Sequence, residues 1–133
     1  MDFRRWLVVG GLCTAFFSCG HREVARPNVL LITLDTFRAD RLDRCPNLRQ
    51  LARESVLFDE ANAAVPLTLP SHATILSGLL PPHHGLRNNG TGSFPIDRPT
   101  LGSIFAAAGY RTGAFVSAFV LDHRFGLNRG FDT

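Results

Sequence analysis

The segment NVLLITL, residues 28–34, decides the fold that this sequence predicts. It is a continuous apolar run bounded by Pro27 and Asp35, and a run without alternation is typical of a strand buried on both faces of a parallel sheet. Ligands of open α/β sheets bind at the carboxyl ends of the strands, so Asp35 is placed for chemistry. The alternative is that Asp35 only caps the element that follows.

The segments after this strand predict an alternation of helices and strands. The first is a helix from Pro46 with Leu48, Leu51 and Ala52 on one face, followed by a strand at 56–63 (VLFDEANA). Next comes a short helix at 70–78 (PSHATILSG), with Ala73, Ile75 and Leu76 on its apolar face and Gly78 at its end, and then a proline- and glycine-rich loop at 79–99. The last two are a helix from Thr100 to Gly109, with Ile104 and Phe105 in the core, and a strand at 111–119. This order predicts an α/β protein, the N-terminal part of a three-layer α/β/α fold with a mainly parallel sheet and right-handed crossovers.

Composition limits the class of protein. The chain has 133 residues, 45% hydrophobic and 19% charged, which is enough for one modest globular domain. A net charge of +3 with scattered basic residues does not indicate a nucleic-acid partner. All 14 basic residues are arginine, which excludes lysine nucleophiles within these residues. The end, LNRGFDT, carries no closing signal, and we expect an incomplete chain.

The first 19 residues have the pattern of an export signal. Arg4 and Arg5 precede the apolar run WLVVGGLCTAFF, which is too short to span a bilayer. The sequence FFSCG resembles a bacterial lipoprotein processing site, with Cys19 as the lipidated residue and 20–27 as a polar tether; a plain secretory signal is the alternative. We therefore expect an exported protein of the cell envelope or periplasm, anchored to the membrane through Cys19, with Cys45 as the remaining thiol.

The stretch VPLTLPSHATILSG, residues 65–78, predicts an anion site. Because Pro70 favours the first helical turn, Thr68 lies just before a helix N-terminus, where unpaired N–H groups and the macrodipole stabilise negative charge. A divalent cation held by Asp35 would activate the Thr68 hydroxyl toward a tetrahedral oxyanion, which is a setting for phosphoryl or sulfuryl transfer. The competing interpretation is that TLPS forms only a helix cap.

Three segments in order, RPNVLLITLDTFRADRL, VPLTLPSHATILSGLLPPHHGLRNNG and PTLGSIFAAAGYRTGAFVSAFVLDHRFGLNRGFDT, resemble the N-terminal part of a sulfatase of the alkaline phosphatase superfamily. The resemblance covers residues 26–133 and identifies 28–133 as a truncated sulfatase N-terminal domain. It implies a metal-dependent hydrolase of small anionic sulfate or phosphate esters, with calcium, manganese or zinc bound by Asp35 and Thr68.

The resemblance also assigns the other site residues. Thr68 occupies the nucleophile position, Thr36 replaces the second aspartate of the metal motif, and His72 replaces the signature arginine as a possible oxyanion contact. Arg87 and Asn89 lie on a loop where they could contact substrate, with simple solvation as the alternative.

Threonine at position 68 departs from the sulfatase pattern, because its β-methyl group prevents conversion to formylglycine. The alternative is a phosphodiesterase or phosphoethanolamine transferase that forms a phosphothreonine. A further alternative is a non-catalytic, lipid-anchored binding module. The resemblance implies that additional metal ligands come from a C-terminal half, so we expect these 133 residues alone to be inactive.

Overall fold

The computed structural model describes residues 26–133. The predicted signal segment, the lipidation site Cys19 and most of the tether lie outside the described residues. The chain divides into two units, one up to Thr33 and one from Leu34 to Thr133. In the first unit, residues 26–33 have no regular secondary structure and are exposed. The site described below lies entirely within the second unit.

The second unit is built from short helices joined by loops. The four α-helices are α1 (Pro46–Arg53), α2 (Thr68–Ser77), α3 (Pro81–His84) and α4 (Leu101–Ala107). Three 3₁₀ helices lie at Ala39–Arg44, Phe119–Leu121 and His123–Phe125. No helix of the described residues is both long and apolar enough to cross a membrane.

Helix α2 begins two residues earlier than its proline suggested. Thr68 is its first residue, and Pro70 lies in the first turn, where a missing N–H costs no helical hydrogen bond. Gly78 ends the helix with φ of 69°, as predicted, and its N–H donates to the Thr74 carbonyl. Thr68 is therefore part of the helix rather than the residue before it.

The core is centred on α2. Its buried apolar residues are Leu69, Ala73, Leu86, Phe94, Phe125 and Leu127. Leu76 packs against this cluster as predicted. Ile75 is exposed, because it lies on the face of α2 that points away from the cluster. Helix α2 thus has one face in the core and its first turn near the surface.

Helix α4 has the predicted N-terminal signal. The Thr100 side chain accepts from the Ser103 N–H, and the Ser103 side chain accepts from the Thr100 N–H, which completes a capping box. Gly109, with φ of 80°, follows directly after the C-cap Ala108. Phe105 packs edge-on against Tyr110, but Ile104 is exposed, so its predicted place in the core is wrong.

The three predicted strands are absent from residues 26–133, which contain helices but no strand. Segments 28–34, 56–63 and 111–119 carry largely exposed apolar side chains, with Leu30 at 82% and Phe115 at 92% exposure. A parallel strand is stable only when neighbouring strands pair with its backbone and helices cover its faces. A short backbone contact joins the third segment to the end of the chain: the Ala114 N–H donates to the Thr133 carbonyl, and the Asp132 N–H donates to the Thr112 carbonyl.

Candidate functional site

The site centres on the first turn of α2 and the carboxylate of Asp35. The Thr68 hydroxyl donates to this carboxylate, with Oγ1 at 3.1 Å from Oδ2 and 3.3 Å from Oδ1. The two residues are 33 positions apart in the chain, so the contact is made by the fold and not by local sequence. The structure therefore brings together the two residues for which the sequence predicted joint chemistry.

The turn that carries Asp35 is strained. The Phe37 N–H donates to the Leu34 carbonyl, and Thr36, the third residue of this turn, has φ of 56°. Thr36 is the only residue other than glycine with positive φ in residues 26–133. A β-branched side chain is disfavoured there by roughly 1 to 2 kcal/mol. Glycine is the usual residue at such a position. A strained threonine persists there when tertiary contacts, such as those of Asp35, hold the turn in place.

Asn89 completes the first turn of α2 from a distant loop. Its side-chain carbonyl accepts from the Leu69 N–H at 2.9 Å, so the loop residue caps a helix whose own N-cap, Leu67, has no polar side chain. The Thr68 N–H has no hydrogen-bond partner among residues 26–133. Sequence analysis predicted Asn89 as a substrate contact, and its spacing from Leu69 gave no signal for this capping role.

His72 lies one turn after Thr68 and is buried against the same turn. Its Nδ1 is 2.8 Å from the Thr68 carbonyl oxygen. A carbonyl oxygen only accepts, so Nδ1 carries the proton in this arrangement. A contact with a substrate oxyanion would have to be made through Nε2, and this role of His72 stays a prediction.

His84, which precedes Gly85 at the end of α3, has a structural role. His84 is 1% exposed; its Nδ1 accepts from the Leu86 N–H, and its Nε2 lies 3.1 Å from the Thr74 hydroxyl. These contacts assign the proton to Nε2, because Nδ1 acts as an acceptor. Burial is the main cause that lowers the pKa of His84 below its ordinary value of 6.5. The adjacent His83 is exposed.

Arg87 lies on the loop between His84 and Asn89. It is exposed and has no hydrogen bond or ion pair to any other residue of the described chain. It lines a surface hollow together with Ala64, Val65, Leu80, Pro81 and Pro82. Its predicted contact with substrate stays a prediction.

Asp35 and Thr68 fit two corners of a divalent cation site. Two adjacent oxygen ligands on an ion with bonds of roughly 2.1 Å are about 3 Å apart, which matches the Thr68–Asp35 separation of 3.1 Å. Both are hard oxygen donors of the kind that magnesium, calcium and manganese prefer. Residues 26–133 hold no group of three or more histidine, cysteine, aspartate or glutamate side chains at ligand distances.

The sequence is similar to a phosphodiesterase family and to several sulfatases. Residues 29–93 match the family of type I phosphodiesterases and nucleotide pyrophosphatases. The chain is 34% identical to bovine arylsulfatase A over 112 residues, which is 75% of this chain and 22% of the relative. It is 35% identical to an arylsulfatase of Clostridium perfringens over 94 residues, 65% of this chain and 20% of the relative.

A third relative is named for the hydrolysis of a phosphate compound. The chain is 35% identical to a bis(5'-adenosyl)-triphosphatase of Pongo abelii over 86 residues, 62% of this chain and 19% of the relative. The chain thus spans roughly a fifth of the length of these curated relatives. No solved structure matches it.

These similarities show distant, partial homology to the sulfatases and to a phosphodiesterase domain. The resemblance to sulfatases found in the sequence is confirmed as a distant, partial similarity.

Proposed function

We propose that the protein to which these residues belong is a metal-dependent hydrolase of phosphodiesters, with Thr68 as the nucleophile. The observation that carries the proposal is the hydrogen bond from the Thr68 hydroxyl to the Asp35 carboxylate at the start of α2. This hydroxyl stands at a helix N-terminus, which favours the negative charge of a bound phosphoryl group.

The chemistry proposed for Thr68 has two steps. Oγ1 forms a bond to phosphorus while the bond from phosphorus to the leaving oxygen breaks; the hydroxyl proton passes to Asp35 and from there to the leaving oxygen, which departs as the alcohol. Water then attacks phosphorus and gives its proton to Asp35, the bond from phosphorus to Oγ1 breaks, and Oγ1 takes that proton, so that Thr68 and Asp35 are regenerated as the phosphate monoester leaves. A divalent cation held by Asp35 and Thr68 would make the hydroxyl a stronger nucleophile and offset charge on the phosphoryl oxygens.

The remaining polar groups would position the phosphoryl oxygens. The Thr68 N–H points out of the first turn of a helix, where backbone donors commonly hold anions. Asn89 fixes this turn through Leu69 and retains two amide N–H donors that have no partner within the described part of the chain. His72 would orient Thr68 through its carbonyl and contact the oxyanion through Nε2.

Sulfate-ester hydrolysis is the second candidate, favoured by the 34% identity to bovine arylsulfatase A. The threonine side chain at position 68 favours phosphodiesters over sulfate esters as the substrate. Formylglycine requires a β-carbon that can become an aldehyde, and the β-carbon of Thr68 carries a methyl group. We propose in addition that the protein is exported and anchored to the cell envelope through Cys19.

The test is turnover by the complete gene product with manganese, zinc or calcium. Bis(4-nitrophenyl) phosphate and 4-nitrophenyl sulfate report the two candidate activities with the same chromophore. We expect phosphodiester turnover that falls by roughly a thousandfold or more in Thr68→Ala, the scale for loss of an attacking group. Thr68→Ser keeps the hydroxyl and should retain activity.

The opposite pattern would reject the proposal. Turnover of the sulfate in preference to the phosphodiester, or equal phosphodiester turnover in Thr68→Ala and wild type, would show that Thr68 is not a phosphoryl-accepting group. Stable protein with no turnover of either ester would favour a binding module.

A further inference from the structure

His84 is a buried side chain with both ring nitrogens engaged. It ends α3 and is 1% exposed, although its neighbours in the chain, His83 and Gly85, are exposed. Nδ1 accepts a hydrogen bond from the Leu86 N–H at 3.2 Å, and Nε2 donates to the Thr74 hydroxyl at 3.1 Å. The neutral ring with its proton on Nε2 satisfies both contacts, whereas a protonated ring has donors only.

One link from His84 leads along α2 to its first turn. The Thr74 hydroxyl accepts from the ring and donates its own proton to the Pro70 carbonyl at 3.1 Å. Pro70 lies two residues after Thr68, in the first turn of the helix. The ring is therefore joined by two consecutive hydrogen bonds to the turn that carries the candidate nucleophile.

A second link passes through the loop after α3. The Leu86 N–H bonds to Nδ1 of His84, and the Leu86 side chain is buried in the core, so this residue fixes the start of the loop. Three residues later, the Asn89 side chain accepts from the Leu69 N–H at 2.9 Å. The loop that caps α2 is thus held at one end by His84 and at the other by the first turn of the helix.

Protonation of His84 would break the second link. Nδ1 would become a donor that faces the Leu86 N–H at 3.2 Å, and two donors cannot share a hydrogen bond. The charged and titratable groups on the elements around the ring are His83 on α3, His72 on α2, Arg87 on the loop, and Arg129, whose guanidinium lies 5.2 Å from the ring centroid of Phe94. These four are all bases, and none supplies negative charge to a protonated ring.

We propose that His84 is a positioning residue of the candidate site, and that it holds the first turn of α2 in its arrangement around Thr68 only while its ring is neutral. Protonation releases the Leu86 N–H, loosens the loop and weakens the Asn89 cap, so that acid switches the site off reversibly. Burial lowers the pKa of His84 from 6.5, so this change occurs below pH 6.5. The switch in activity rests on the proposed function, whereas the coupling from His84 to Leu69 is measurable without turnover.

The test is a pH titration of the full chain, followed by NMR of the His84 ring and of the backbone N–H groups of Leu86 and Leu69. We expect the three signals to shift with one common midpoint below pH 6.5. His84→Asn places an amide oxygen near the position of Nδ1, as an acceptor that does not titrate, and should abolish the shift of Leu69 at this midpoint. The matched control is His83→Gln at the exposed neighbouring position, in which the three signals should still titrate together.

The activity readout uses the complete gene product and bis(4-nitrophenyl) phosphate. We expect kcat of the wild type to fall about tenfold for each pH unit below the midpoint, as for loss of one required neutral base, and His84→Asn to lack this fall. A Leu69 signal that does not titrate with the His84 ring, or an identical fall of kcat in His84→Asn, would overturn the inference even if phosphodiesters are hydrolysed. A common midpoint without turnover of any ester would support the coupling and reject the proposed function alone.

Discussion

The amide oxygen of Asn89 accepts a hydrogen bond from the backbone N–H of Leu69 at 2.9 Å, so that a loop residue caps the helix that carries the candidate nucleophile. The bond crosses 20 positions of sequence and satisfies a donor that the apolar N-cap Leu67 cannot reach. It ties the loop after α3 to the first turn of α2, which carries Thr68.

Asn89→Ala should destabilise the unit by about 1 kcal/mol, the usual cost of losing a helix-capping acceptor. Asn89→Asp keeps an acceptor oxygen and should lose less. Urea unfolding followed by circular dichroism measures both, with Asn88→Ala on the same exposed loop as the control. A loss in Asn88→Ala equal to that in Asn89→Ala would contradict the capping role.

Thr36→Gly should increase the free energy of unfolding by about 0.5 to 1 kcal/mol. Glycine removes the penalty of the β-branched side chain at φ of 56°, and the greater entropy of glycine in the unfolded chain offsets part of this gain. The same unfolding measurement checks it. A decrease in stability would mean that the Thr36 side chain makes a favourable contact larger than its backbone strain.

Stability should fall as the pH drops below the ordinary pKa of histidine, because of His84. Its folded-state pKa is lowered from 6.5, so between that value and the folded pKa the unfolded chain binds a proton that the native state does not. The free energy of unfolding therefore rises with pH in this window, by as much as about 1.4 kcal/mol per pH unit.

The variant His84→Gln should remove this part of the slope below about pH 6.5, whereas His83→Gln, at an exposed position, should leave it intact. Urea midpoints across the pH range give the measurement. An identical pH slope in wild type and His84→Gln would show that the buried ring is not the linked group.

Gly130→Ala should destabilise the unit far more than Gly90→Ala. Both glycines have positive φ, 82° and 71°, so alanine strains the backbone at each by about 1 kcal/mol. At Gly130 an added Cβ would clash with the backbone of Ser103 and Gly102 on α4, whereas at Gly90 it meets nothing within 4 Å. The expected cost at Gly130 is more than about 3 kcal/mol.

Thermal unfolding of the two variants compares these costs directly. Similar losses in both would show that backbone strain alone decides the effect and that segment 129–131 does not pack closely on α4.

Helices α1, α2 and α4 were predictable because their signals are local. Pro46, Thr100, Gly78 and Gly109 each act on the turn in which they lie, and the predicted ends lie within two residues of the observed ones. Helix α3 (Pro81–His84) lies in the segment predicted as a loop, and that prediction is wrong there. The strands were not predictable, because an apolar run such as 28–34 records only a tendency to be buried. Whether it forms a strand depends on neighbouring strands, and residues 26–133 contain no strand.

The candidate site divides in the same way. Thr68 and Asp35 were predicted together, since helix-terminus chemistry and strand-end carboxylates follow from residue type and place. The bond from Asn89 to Leu69 and the strain at Thr36 depend on how distant segments meet. Neither leaves a pattern in the sequence.

The most direct measurement of the central claim is a search for a phosphoryl group on Thr68. The complete gene product would be mixed with bis(4-nitrophenyl) phosphate and a divalent cation, quenched in acid during turnover, and digested for peptide mass spectrometry. We predict one added phosphoryl group on the peptide that contains residues 65–78, located at Thr68 and absent from Thr68→Ala. Turnover without any phosphorylated peptide, or with the group on another residue, would contradict the assignment of Thr68 as the nucleophile.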